Sequence, residues 1–146
     1  MLELDTIDRT VQITHRWLQD IMDDSGETDR QRAWHGLRAV LATLRDRMPV
    51  SEAAQLSAQL PMLVRGLFWE GWDPDRPGRA HSRKEFLAAI AGHVDPRVPI
   101  DPEVCFAAVM RTLAKHVTAG ELRDVRAVMP GEVQQMIDAA VGPVLA

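Results

Sequence analysis

The side chains able to bind a metal or attack a substrate are few and widely spaced. The histidines are His15, His35, His81, His93 and His116, and the one cysteine is Cys105. No two of them stand three or four residues apart, and there is no Cys-x-x-Cys or His-Glu-x-x-His. No metal and no cofactor are therefore expected. A cross-helix set of Cys105 with His35 or His116 is the one metal arrangement that spacing alone leaves open. Cys105 lies beside Phe106 on the apolar side of a helical pattern, where a buried, inert thiol is the expectation. Ser25, Ser51, Ser57 and Ser82 fall at turns and helix starts, and none occupies a Gly-x-Ser-x-Gly nucleophile turn. No catalytic residue is assigned.

One stretch does concentrate chemistry. Leu60 to Pro74 reads LPMLVRGLFWEGWDP and holds two of the four tryptophans. Arg65, Trp69, Glu70 and Trp72, with His81 a little beyond, supply a cation, a carboxylate, two indoles and an imidazole. A cleft lined this way can stack a flat ligand or an arginine on the indole faces. The plainer reading is packing. Arg65 then pairs with Glu70 or an aspartate, and the indoles close the end of a core with their N–H groups on a partner.

These residues must be positioned by helices. Apolar residues recur every three or four positions, and strand-like alternation is absent. The first helix is expected over about 6–24, with Ile7, Val11, Thr14, Leu18 and Ile21 as its core stripe and Gly26 as its stop. The second spans about 29–47, opened by a Thr28–Gln31 capping box. Its stripe is Trp34, Leu37, Val40, Leu41, Leu44 and Met48. The third starts near Ser51, and Pro61 forces a break and a restart over Met62 to Phe68. Residues 71–78 are turn-forming throughout. A fourth helix runs from a Ser82–Glu85 box to about Gly92. A fifth is capped by Asp101 with Pro102 in its first turn. Another follows a Thr118–Glu121 box, and a last one follows Pro130-Gly131. The closing Gly142-Pro143-Val144-Leu145-Ala146 reads as a short apolar tail, fit to cap the core or engage a second chain.

The chain also matches itself. At an offset of 69, residues 39–68 fall on 108–137 without a gap, and eight of the thirty pairs are identical. They are Ala39/Ala108, Val40/Val109, Thr43/Thr112, Leu44/Leu113, Glu52/Glu121, Ala58/Ala127, Pro61/Pro130 and Val64/Val133. Trp17/Phe86, Leu18/Leu87 and Ile21/Ile90 keep the same offset. Self-similarity at a fixed period reports a repeated supersecondary unit. The expectation is a single all-α domain over 1–146. It would contain two pseudo-symmetric repeats, about 5–70 and 74–139, of three to four helices each, packed into one compact bundle. In the second copy Arg65 is read against Gln135 and Trp69 against Asp138. Such divergence is what a site built into one copy would produce.

The 146 residues carry 17 basic and 21 acidic side chains, a net charge of −4, with 46% hydrophobic residues. A nucleic-acid binder would show a basic excess or stripe, so none is expected to bind. No run approaches the ~18 apolar residues of a membrane span. MLELDTIDR at the start carries no basic, apolar leader, and a cytoplasmic location is expected.

Leu60-Pro61, Arg65-Gly66, Phe68-Trp69, Gly71-Trp72-Asp73-Pro74 and Glu85-Phe86-Leu87 together resemble the bacterial family catalogued as domain of unknown function 2267. The resemblance covers roughly residues 8–138. It implies an all-helical bacterial cytoplasmic protein and transfers no activity. The family's usual aromatic pair is two tyrosines; here it is Phe68-Trp69, in a chain with no tyrosine. The functional expectation is a non-catalytic protein-interaction or self-associating module, with a protein partner or a homo-oligomer. The alternative is a small-molecule binder or enzyme using Arg65, Trp69, Glu70, Trp72 and His81 at the repeat junction.

Overall fold

The structure is a computed structural model and describes residues 2–145. The described residues form eight helices and no strand: α1 (Leu2–Ser25), α2 (Arg30–Arg47), α3 (Val50–Ala58), α4 (Met62–Trp69), α5 (Arg83–Gly92), α6 (Pro102–His116), α7 (Ala119–Ala127) and α8 (Gly131–Leu145). The all-α expectation holds.

The helix ends follow local chemistry. α1 stops at Gly26, whose φ of 78° is the left-handed conformation that closes a helix, and its N–H reaches Met22 O at 2.9 Å. Ser82, Asp101 and Thr118 accept the first free N–H groups of α5, α6 and α7, as expected. At α2 the cap is Asp29 rather than Thr28. The Asp29 carboxylate accepts from Gln31 N at 2.8 Å, and Glu27 accepts from Asp29 N at 2.8 Å. A carboxylate makes the stronger, charge-assisted bond, so it displaces the neighbouring hydroxyl from that role. Pro61 stands immediately before α4 and restarts the chain there. The expected tail is instead helical: α8 continues through Pro143 to Leu145, while Ala146 lies outside the described residues.

Two helices lie at the centre. α2 buries every residue from Ala39 to Arg45, so it is covered on all sides, and it packs on α1, α4, α5 and α6. α6 packs on α1, α2, α5, α7 and α8. Where α2 meets α6, Gly36 faces the Cys105 thiol so closely that a Cβ on Gly36 would lie 2.4 Å from Sγ. Around this crossing, Trp17, Leu37, Leu41, Leu44, Phe68, Phe86, Phe106 and Met110 are fully buried. The Trp17 ring stacks on His116, which bonds Asp20 at 2.9 Å and ties α6 to α1.

The core stripe expected on α1 is only half buried. Thr14, Leu18 and Ile21 are enclosed, but Ile7 is 56% and Val11 39% exposed. Trp34 is half-buried rather than enclosed.

The helix boundaries keep the offset of the sequence. α3 and α7 begin 69 residues apart, as do α4 and α8, and the ends of α2 and α6 differ by the same 69. Individual bonds repeat too. Thr43 donates to Ala39 O at 2.8 Å and Thr112 to Ala108 O at 2.9 Å. Arg65 Nε donates to Ser57 O at 2.9 Å and Gln134 Nε2 to Arg126 O at 3.0 Å. The glutamine matched to Arg65 is therefore Gln134 rather than Gln135. Helix contacts come in exchanged pairs: α1 on α6 with α5 on α2, and α1 on α4 with α5 on α8.

The close approach at Gly36 sets an expectation. Gly36→Ala should destabilise the protein by about 1–3 kcal/mol through overpacking. Cys105→Ala on the same background should recover most of that loss, since the two sites share one space. Urea unfolding of the two single variants and the double variant measures this; additive losses would contradict the shared contact.

Candidate functional site

The junction residues singled out in the sequence divide into two groups. Arg65 is committed to the backbone: its guanidinium donates to Ser57 O, Leu60 O at 3.0 Å and Ala58 O at 3.4 Å. These carbonyls lie at and just beyond the C-terminal end of α3, where helix carbonyls lack their full set of partners, so Arg65 caps α3. It pairs neither with Glu70 nor with an aspartate. Trp69 packs edge-on against Phe68 at 5.1 Å and Trp72 at 5.2 Å between ring centres. Trp69 is half-buried and Trp72 is exposed. The Glu70 carboxylate is exposed and stands 3.8 Å from Arg38. His81 is exposed on the approach to α5, apart from the tryptophan cluster in the contacts made.

What holds this region is an arginine outside the central motif. Arg45 is 3% exposed and donates to Phe68 O at 2.9 Å and Glu70 O at 2.8 Å, closing the end of α4. Its other nitrogens engage Asp46 at 2.8 and 2.9 Å. Asp46 O in turn accepts from Gly78 N at 2.7 Å, and Arg47 donates to Gly78 O at 2.8 Å, which fastens the linker. His93 approaches Asp46 at 3.7 Å. Burial pushes the His93 imidazole below its ordinary range, against the pull of Asp46. Arg45-Asp46-Arg47 looks in sequence like a solvated helix end; only the fold reveals its burial.

A second group was assigned elsewhere. Thr118 accepts from Glu121 N as a cap should, but the Glu121 side chain turns away to Glu52 on α3. Carboxylate oxygens of Glu52, Glu121 and Asp124 lie within 4.8 Å of one another. Glu121 is 6% exposed, and one buried oxygen of each glutamate meets no donor. Burial and a second carboxyl alongside both disfavour the ionised form of Glu121. The pair holds a proton well above the usual carboxylate range, first because Glu121 is buried, then because of the bond to Glu52 and the charges of Glu52 and Asp124. The signal was present in the sequence: Glu52/Glu121 is the only acidic identity among the eight matched pairs.

Two of the surface hollows bear on these residues. One, of about 380 Å³, is a shallow, mostly apolar groove between α1, α2 and α4, lined by Thr10, Trp34, Met62, Leu63, Gly66 and Leu67, with Glu70 at its edge. The other, of about 360 Å³, lies between the α1–α2 turn and the start of α6, with the Glu27–Arg32 pair in its wall. Cys105 also lines it, but burial and the nearby Asp101 and Glu27 push its thiol up to about 12. It stays protonated at neutral pH, as an inert thiol does.

The family described as "Uncharacterized conserved protein (DUF2267)" matches residues 14–136 of the chain. The chain belongs to that family, in agreement with the resemblance carried by the central motif. No curated protein matches it. Ile7 and Val11 precede the matched segment.

The glutamate pair makes stability depend on pH. In the unfolded chain Glu121 releases its proton near 4.5, whereas in the fold it does so near 8. Between these values the folded state binds more protons, so this contribution is present in acid and lost as pH rises through 8. Glu121→Gln should flatten that part of the profile. Melting temperatures of the parent and the variant from pH 5.5 to 8.5 should converge at the acid end, the parent falling several degrees further by the alkaline end, on the order expected for a domain of this size. Parallel profiles would refute the shared proton.

Proposed function

We propose that this member of the family is an internally duplicated, non-catalytic helical module that works by docking an apolar helix. The duplication is supported by the common offset of helix boundaries, bonds and contacts. The docking role is supported above all by one observation: the apolar stripe of α1 runs on past the core that covers it. Ile7 and Val11 are left in solvent, and Met62 and Leu63 on α4 are 61% and 40% exposed. The Leu63 N–H, in the first turn of α4, donates to Thr10 Oγ1 at 3.0 Å, which sets α1 and α4 side by side as the groove's walls. Exposed apolar side chains on two neighbouring helices, with a hollow between them, are the arrangement that receives an amphipathic helix.

The α1 overhang has no helical counterpart in the second half, where the same offset falls on the linker. A second copy of the chain offers the same stripe and is the first occupant to test. The engagement of Arg65 with three backbone carbonyls supports reading the junction as structure rather than as a ligand cleft. No helix among the described residues is long and apolar enough to cross a membrane.

Sedimentation of the parent chain over a range of concentrations should reveal self-association. Ile7→Glu with Leu63→Glu should raise the dissociation constant at least tenfold, or about 1.4 kcal/mol, without loss of helix content. A strict monomer at high concentration that also recovers no partner through this face would remove the proposal.

A further inference from the structure

We propose that Glu52, Glu121 and Asp124 form a site for a hard divalent cation, of the calcium or manganese type, clamped between α3 and α7. The donor set is all carboxylate oxygen, the chemistry such ions select. Glu121 and Asp124 stand three apart on α7, which brings them to one face of the helix. Glu52 enters from α3, which packs against it. The mutual separation of 4.8 Å or less suits one ion. Two oxygens each at 2.3–2.6 Å from a calcium ion can stand at most about 5 Å apart.

The independent reason to expect a ligand is the orphaned oxygens. Glu121 is more than nine-tenths buried, and beyond the bond between the two glutamates neither its Oε2 nor that of Glu52 meets an N–H or hydroxyl donor. Arg123, beside Asp124 in the chain, is exposed, and two further arginines are engaged elsewhere. Arg126 pairs with Asp138 at 2.7 Å, and Arg65 caps α3. A proton offsets one charge of this cluster. A divalent ion offsets two, and it reaches Asp124 as well, whose exposure leaves room for water to complete the coordination shell. At the offset of 69 the counterpart of Asp124 is Gln55, another oxygen-bearing side chain.

Carboxylates hold a cation only when ionised, so binding tightens as pH rises. Titration calorimetry of chelator-treated protein with calcium chloride and manganese chloride, at pH 6 and pH 8, tests this. One equivalent should bind with a dissociation constant of about 10⁻⁵ to 10⁻³ M, several-fold tighter at pH 8. The free-manganese spectroscopic signal should fall by one equivalent. Asp124→Asn, at an exposed position, should keep the fold and weaken binding at least tenfold; Glu121→Gln should abolish it. No binding at millimolar ion at pH 8 overturns the proposal. So does binding that neither variant changes, which would put the ion elsewhere on the surface.

Discussion

The crossing of α2 over α6 is the constraint on which the other helices depend. Gly36 gives up its side chain where Cys105 needs room, and the two helices close to a distance that no larger residue permits. That approach lets α2 be enclosed from Ala39 to Arg45. It also leaves α1, α5, α4 and α8 no place except around the pair. In a tightly packed interior such a contact is not adjustable, because neighbouring side chains already fill their space. Changing the helix separation here moves every other element.

The second requirement is to satisfy backbone groups where helices stop inside the body of the protein. A helix end leaves carbonyls without partners, and burying them unpaired is costly. Arg45 meets this need at the end of α4 and Arg65 meets it at the end of α3. Gln134 does for α7 part of what Arg65 does for α3. An amide supplies fewer donors than a guanidinium. The divergence at this matched position thus follows from how many carbonyls need a donor, and it requires no ligand. The tryptophans then pack on a framework that Arg45 has already fixed.

Much of the architecture was legible beforehand because it rests on local chemistry. Helical spacing, Gly26, Pro61 and the caps Ser82, Asp101 and Thr118 act within a few residues of themselves. The failures were matters of tertiary context. Periodicity placed Ile7 and Val11 on the core face of α1 without revealing that the core ends before them. Thr28 and Asp29 are both competent caps, and their ranking depended on charge. Arg45 stands in a charged run with nothing local to mark it as buried, yet it is only 3% exposed. Glu121 looked like half of a capping box, and only the packing of α3 on α7 turns it toward Glu52. The candidate site at the junction was legible as a cluster of residue types, while the commitment of Arg65 to backbone carbonyls was not.

The Gly36–Cys105 contact has one more implication. These two positions are counterparts at the offset of 69. In an assembly of two identical polypeptides, a location that meets its own image must carry the same amino acid on both sides. Cysteine against cysteine would collide there, and glycine against glycine would leave a void. Covalent fusion removes the obligation, since each side is then encoded by its own codon. A small residue can face a larger one, and the fit can become asymmetric in a way that free subunits have no means of reaching.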